Sequence, residues 1–370
     1  MKKIEKLAME IGLSYEYIEE KVEETIEIAK EKKLDFKNPV LVGYDLNGPL
    51  TSTRDASLFP RPTVQRAMSY LIGENVSKAI LSGWDMRSLR YFRDRRLGIT
   101  ELALIGEMGA VYEDSGQIFE IDPISKRIHY EMKRRIYEKA AEEGLKIAIQ
   151  GNVSTRVACV YFEADEEDRG NLRNHFLVTD THVTTGDIFN ALRKKGNFRY
   201  NGEKIEFEIT TENIKEIDYV LSKVFTLQSV RLEKVGQKIA LWRDNKDNRE
   251  FSLEDMIEFS KSAVPKGWKV DPNPDYCVDL VFEGDGVKLN KEKTANVFAR
   301  KKFKSNEYII TNVGDKKADI LMGENTLNFP QYGTEARRYC KKNGIPHVPV
   351  LHGGDYSLII AELLQRLYGQ

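Results

Sequence analysis

Apolar positions along this 370-residue chain recur with different periods in different stretches. At the start, Ile4, Leu7, Ala8 and Ile11 form one stripe at helical spacing. Ile18, Val22, Ile26 and Ala29 form a second, after Ser14, a residue type suited to capping a helix N-terminus. Residues 1–38 therefore read as helical, packed on the rest of the chain or, as the alternative, serving as a dimerisation arm. Pro39 closes that region. Val40-Leu41-Val42-Gly43-Tyr44 is an unbroken apolar run, the mark of a strand buried on both faces, and it stops at the turn-forming DLNGPLTSTRD. A helix near Thr63–Leu71, a strand over Ala79–Leu81 ending at Ser82-Gly83, a helix over Asp85–Arg95 and a strand over Leu102–Ile105 ending in GEMGA follow. Strands alternating with helices predict a parallel sheet.

The rhythm is lost after Asp122-Pro123. From 123 to 285 the sequence carries long charged helices with scattered strands, at Arg156–Glu163 and Lys204–Ile209, and a turn-rich break at Asp271-Pro272-Asn273-Pro274. Tyr276–Glu283 alternates like an edge strand. The strand–helix rhythm then returns. Asn290 is placed to cap a helix over Lys291–Ala299, and Tyr308–Val313 is a strongly apolar strand running into GDKKAD. Ile320–Met322 and Val348–Leu351 read as further strands, the second demoted to an edge by Pro349. Tyr356–Tyr368 reads as a closing amphipathic helix. The fold class predicted is α/β: a doubly wound parallel sheet over 39–122 plus 286–370, an α+β domain inserted over 123–285, and a helical extension over 1–38.

Composition narrows the function classes. With 41% hydrophobic and 31% charged residues the chain is of globular type. Its 57 basic residues against 58 acidic ones argue against a dedicated nucleic-acid or anionic-membrane surface. Cys159, Cys277 and Cys340 are far apart and form no CxxC pair, so neither a disulfide framework nor a cysteine zinc site is expected. No apolar run approaches the roughly 18 residues of a membrane span. A cytoplasmic protein is expected, with no nucleic acid or membrane as partner.

In open parallel sheets, ligands bind beyond the carboxyl ends of the strands. The residues at those ends are Asp45, Asn47 and Gly48 after the first strand, Ser82-Gly83 after the second, and Gly314, Asp315 and Asp319 after the late strand, with Lys291 and Lys293 opening a helix. Asp45 and Asp315 together suit one hard cation, and Mg²⁺ favours such oxygen ligands along with a substrate phosphate oxygen. A serine hydroxyl and a lysine ammonium suit the remaining phosphate oxygens. A carboxylate poised on a phosphoryl group is a competent nucleophile. The chemistry implied is phosphoryl transfer through an aspartyl-phosphate.

These residues carry a family resemblance. DLNGPLT resembles the DxDGTLT signature of the haloacid dehalogenase (HAD) superfamily, Ser82-Gly83 its second motif, a lysine at a helix start its third, and GDKKAD its fourth, GDxxxD. IGEMGA is similar to the element after the third strand in the Cof-type, sucrose-phosphatase and phosphomannomutase-like branch, which inserts an α+β cap at this point. HGGDYSLIIAELL is similar to the closing loop and helix of that branch. The resemblance implies Asp45 as nucleophile and metal ligand, Asp315 as a second carboxylate on Mg²⁺ with Asp319 in support, and the carbonyl of Asn47 as a further ligand. It implies Ser82 and Gly83 at the substrate phosphate and Lys291 paired with phosphate and Asp45; Lys293 is the alternative lysine.

One departure matters. The family's general acid/base is the second aspartate of its first motif, and here that position is Asn47. A carboxamide relays no proton at neutral pH, and such help is worth about 10²–10⁴-fold. Pro49 and Ala318 also replace the usual Thr and Asn. Arg156 reads as a cross-strand salt-bridge partner rather than a substrate contact. The expected function is a Mg²⁺-dependent phosphohydrolase acting on a small phosphorylated metabolite, a sugar phosphate by resemblance. The alternatives are a catalytically weak relative that binds a phosphorylated ligand or partner, and a phosphotransferase or mutase.

Overall fold

The VLVGY run forms β1 (Val40–Tyr44), and all five of its residues are buried. β-branched and aromatic side chains suit a pleated strand, and burial on both faces requires cover on both. The computed structural model describes residues 3–51, 62–145, 147–149, 152–162, 198–200, 204–208, 230–235, 238–243, 253–273 and 277–368. Parallel to β1 run β2 (Val76–Leu81) on one side and β14 (Ile309–Gly314) on the other, with β3 (Ala103–Gly106) and β15 (Thr326–Pro330) outside them. An antiparallel hairpin, β4 (Val111–Asp114) and β5 (Gln117–Glu120), extends the sheet to seven strands in the order β15-β14-β1-β2-β3-β4-β5. This is the predicted doubly wound, mainly parallel α/β arrangement.

Alternate residues of β1 feed two cores. Val40, Val42 and Tyr44 pack with Ile80 beneath α1 (Lys3–Glu10), α2 (Tyr15–Glu31), α3 (Pro62–Met68), α4 (Met86–Tyr91) and the closing helix α9 (Gly353–Tyr368). Leu41, Leu81 and Ile310 pack on the other face against Ala295, Phe298 and Ala299 of α7 (Lys291–Phe303). A smaller cluster of Ile320, Ala336 and Cys340 seats α8 (Glu335–Asn343). In the N-terminal helices Ile4, Leu7, Ala8, Ile18, Val22 and Ala29 are buried in the first of these cores, and Ser14 Oγ accepts the Tyr17 N–H at 3.1 Å as the predicted cap.

The middle of the chain holds a helix-then-hairpin unit twice. α5 (Lys126–Glu143) precedes β6 (Ile147–Ile149) and β7 (Val157–Phe162); α6 (Leu253–Ala263) precedes β12 (Trp268–Asn273) and β13 (Cys277–Phe282). The four strands form one antiparallel sheet, β12-β13-β7-β6, over a separate core that includes Met132, Ile136, Val160, Phe259 and Leu280. Between the units in sequence, β8 (Phe198–Tyr200), β9 (Lys204–Glu208), β10 (Val230–Val235) and β11 (Lys238–Arg243) form another antiparallel sheet, β10-β11-β9-β8.

Several expectations are corrected. Asp271–Asn273 is not a break but the end of β12, an edge strand, where a proline forfeits no ladder bond. Cys277–Phe282 is paired on both sides and is not an edge. Ile320–Met322 is no strand; a short 3₁₀ turn (Lys317–Asp319) precedes it, and the strand lies at Thr326–Pro330. Val348–Leu351 gives only an isolated bridge, Val350 to Gln331, beside β15. Residues 52–55 of the first turn, Glu163, Ile209, Pro274 and Tyr276 lie outside the described residues. Among the described residues no helix is long and apolar enough to cross a membrane.

Candidate active site

Strand register decides what meets. Tyr44 lies opposite Ile80 of β2 and Val313 of β14, all running the same way. Asp45, Ser82 and Asp315 therefore leave the sheet together at its carboxyl edge, where β1 and its neighbours turn to their helices. The Asp45 N–H still donates to Val313 O at 2.9 Å, so the residue is held by the sheet up to the point of its side chain.

Three carboxylates converge there. Oxygens of Asp45, Asp315 and Asp319 lie within 4.8 Å of one another, and all three residues are buried. Lys291, the first residue of α7, inserts its Nζ between two of them, 3.0 Å from Asp45 Oδ1 and 2.7 Å from Asp319 Oδ1. Its helix start is set by Asn290, whose Oδ1 accepts the Glu292 N–H at 2.8 Å. Asp319 is fixed by the 3₁₀ turn, with Oδ2 accepting the Lys316 N–H at 2.9 Å and its carbonyl accepting Asn312 Nδ2 at 2.7 Å.

The electrostatics are unbalanced. Three acids cluster here, with the Lys291 ammonium in contact with two of them and Lys316 also acting on Asp45. Burial first, then the Asp319 charge, pushes Asp45 up to about 7, although Lys291 pulls the other way. Burial would lower Lys291, but Asp319 and Asp45 outweigh it and hold the ammonium charged above the usual lysine range. A divalent cation would relieve this excess of negative charge, and the oxygen-only donor set suits a hard ion such as Mg²⁺. The residues present therefore fit such an ion, and Asp45, Asp315 and Asp319 are the carboxylates that could hold it.

Asn47 is buried on the same turn, and its Oδ1 has no hydrogen-bond partner among the described residues. Gly48 follows with φ of 91°, a left-handed conformation that glycine adopts at no steric cost. Ser82 is buried, and its Oγ accepts the Trp84 N–H at 3.2 Å, which leaves the hydroxyl proton to donate elsewhere. Gly83 is half-buried; a Cβ there would meet only Met108 Cγ at 3.7 Å. Of the two lysines weighed from the sequence, Lys291 joins the cluster. Lys293, half-exposed, pairs with Asp122 instead, because two residues along a helix turn a side chain away from the first.

The sequence reading assigned no role to Glu107 of the IGEMGA element. This fully buried carboxylate accepts the N–H groups of Val153 at 2.9 Å, Ser154 at 2.7 Å and Met86 at 3.4 Å. It ties the carboxyl edge of the main sheet to the approach of β7. Glu107, Met108 and Gly109 have φ of 53°, 59° and 89°, an arrangement that only the glycine advertises in the sequence. Arg156 is also buried. It bonds the carbonyls of Asp122 and Phe282 and the carboxylate of Asp285, so it reaches the end of the neighbouring β13 and clasps the two connections between the main sheet and the second one.

No protein-family model matches the chain, and no curated protein matches it. Solved structures similar to it include a hypothetical protein from Geobacillus kaustophilus, at 12% identity over 88% of this chain and 100% of that one, with a TM-score of 0.48. A phosphatase of the haloalkanoate (HAD) enzyme superfamily from Bacteroides thetaiotaomicron is 11% identical over 89% and 96%, with a TM-score of 0.45. The sucrose-phosphatase of Synechocystis, solved with sucrose and phosphate, is 13% identical over 88% and 98%, with a TM-score of 0.37.

Proposed function

We propose that this chain is a Mg²⁺-dependent phosphohydrolase of the HAD type, acting on a small phosphorylated metabolite through an aspartyl-phosphate on Asp45. The observation that supports it above all is the meeting of Asp45, Asp315 and Asp319, residues up to 274 positions apart, at the carboxyl edge of the sheet, with Lys291 bonded to Asp45 and Asp319. In this reading residues 39–122 plus 286–370 form the catalytic core, 123–285 a cap over it, and 1–38 an extension of the core.

Asp45 and Asp315, with Asp319 and the Asn47 carbonyl, would hold Mg²⁺, which supplies charge neutralisation at the phosphoryl oxygens when bound. The Asp45 carboxylate attacks phosphorus, an O–P bond forms, and the bond to the substrate oxygen breaks. Lys291 favours the ionised form of Asp45 against burial and the neighbouring acids and neutralises phosphoryl charge, while the Ser82 hydroxyl donates to a phosphate oxygen. Water then attacks the aspartyl-phosphate, releasing phosphate and restoring the carboxylate. Asn47 can orient the leaving oxygen and the water by hydrogen bonds but takes no proton, so turnover is slow unless the leaving group departs unaided.

Asn47 also supports a second reading, in which the phosphoryl group passes to an acceptor hydroxyl or the ligand is bound with little turnover. A screen of phosphorylated metabolites with Mg²⁺ separates these, comparing the native chain with Asn47→Asp and Asp45→Ala. Hydrolysis that Asp45→Ala abolishes, by on the order of 10⁴-fold or more, is expected. Hydrolysis that persists in Asp45→Ala removes the proposed nucleophile.

A further inference from the structure

The turn that carries Asn47 is supported from behind by two routes. A Cβ on Gly48 would lie 2.8 Å from Gln331 Oε1 and 3.2 Å from Asp315 Cγ, so the turn is pressed on both side chains. Gln331 is itself held, its Nε2 donating to Leu351 O at 3.1 Å. Two residues further on, a Cβ on Gly353 would lie 2.8 Å from Pro49 O, so α9 begins in backbone contact with the same turn. Segment 351–353 thus reaches residues 48–49 both directly and through Gln331.

That segment is organised by one fully buried carboxylate. Asp355 accepts the Leu351 N–H at 2.7 Å through Oδ2 and the His352 N–H at 2.9 Å through Oδ1. A third donor comes from the other end of the chain: Tyr17 Oη, on α2, donates to Asp355 Oδ2 at 2.9 Å. Further hydrogen bonds between α2 and α9 lie further along the closing helix. Tyr15 Oη donates to Glu362 Oε1 at 2.8 Å, and Arg366 reaches Glu19 and Glu23. None of those acceptors belongs to segment 351–355.

We propose that Tyr17 and Asp355 are positioning residues for the Asn47-Gly48-Pro49 turn, so that the N-terminal helices brace the catalytic edge as well as covering the sheet. The inference rests on the functional reading above only in taking that turn to be catalytic. A carboxylate-linked hydrogen bond is among the stronger kinds, and its loss acts first on the local opening of the segment it fixes.

Tyr17→Phe and Tyr15→Phe remove matched tyrosine–carboxylate bonds between the same two helices, and amide hydrogen exchange in the full chain compares them. Tyr17→Phe is expected to speed exchange in 46–51 and 351–355 about tenfold while β1 amides stay unchanged; Tyr15→Phe leaves both segments as they were. With p-nitrophenyl phosphate and Mg²⁺ as probes, Tyr17→Phe lowers kcat about fivefold with KM held within about twofold. Asp355→Asn, which keeps one acceptor oxygen, shows the same local rise in exchange. Equal exchange in the two tyrosine variants, or a rise in 46–51 matched by β1, overturns the brace. Full probe hydrolysis in Asp45→Ala overturns the functional reading instead and leaves the exchange result standing.

Discussion

Two buried charged clusters flank the carboxyl edge of the sheet, and they are built on opposite principles. At the junction with the second sheet, each charged group has its hydrogen-bond partners, although burial still raises Glu107. The Arg156 guanidinium has two carbonyls and the Asp285 carboxylate, which it holds down to about 2, and Glu107 has three backbone N–H donors. Around Asp45 acids outnumber bases, with three carboxylates clustered, Lys291 bonded to two of them, Lys316 acting on Asp45 as well, and Asp45 pushed upwards. A fold satisfies its buried charges where only structure is needed and leaves them in excess where a ligand completes the set. The first cluster acts as a fastening and the second is the proposed binding site, although both read in the sequence as scattered charged residues.

The strongest way to sharpen this contrast is to place a proton carrier at position 47. Asn47→Asp adds a carboxyl group where the buried Asn47 Oδ1 lacks a partner among the described residues. Phosphate release should rise by about 10²–10⁴-fold on whichever phosphoester the native chain hydrolyses slowly. Steady-state phosphate assays decide it; no gain on any phosphoester that the chain binds would favour a binding protein. The same substitution in a fastening cluster could only add an unpaired charge.

The fastening breaks by removing a partner. Arg156→Met keeps the aliphatic stem but orphans the carbonyls of Asp122 and Phe282. Asp285 is well exposed and returns to water, so the loss is mainly that of charged hydrogen bonds, about 2–3 kcal/mol. Denaturant unfolding should show it, with Arg156→Lys failing to rescue, because one ammonium does not span both connections. Unchanged stability in Arg156→Met would mean that the two connections are held by other contacts.

What the sequence disclosed and what it withheld follow the same division. The parallel strands were legible because burial on both faces leaves continuous apolar runs such as Val40–Tyr44, and the site because turn residues after such runs fall at one sheet edge. Lys291 could not be separated from Lys293, since that choice depends on Asp122 reaching the second lysine from 171 residues away. β15 was hidden by its own residues, for Asn328 and Pro330 are poor strand formers, and the proline is tolerated at the end of an outer strand. β12 ends in Asp-Pro-Asn, which reads as a turn and is tolerated because the strand is an edge. Glu107 was masked because three backbone donors from distant loops define its role, and nothing local signals them.

If charge excess marks the binding site, removing charge there should stabilise the metal-free protein. Asp315→Asn takes one carboxylate from beside Asp45 and Asp319 and should raise metal-free stability by about 1 kcal/mol while abolishing any stabilisation by Mg²⁺. Glu107→Gln, also a loss of one charge, should destabilise by about 1–3 kcal/mol, because an amide offers one acceptor oxygen where the carboxylate receives Val153 and Ser154 on two. Thermal unfolding in chelator and in Mg²⁺ compares the pair directly. Shifts of the same sign would erase the distinction between the clusters.

The smallest effect is a pH dependence. Burial and the neighbouring acids push Asp45 up to about 7 in the metal-free fold from its ordinary 3.8, so between those values the folded state holds more protons than the unfolded state. Stability contributed by this group therefore falls as pH rises through that window, and the penalty is complete above about 7. A divalent cation binds the deprotonated carboxylates and competes with the proton, so it removes that penalty only where the penalty exists. The rise in unfolding temperature on adding Mg²⁺ should be larger at pH 8 than at pH 5, by a few degrees at most in a chain of this size. A larger gain at pH 5 would place the cation elsewhere, since no competition with a proton on Asp45 produces that sign.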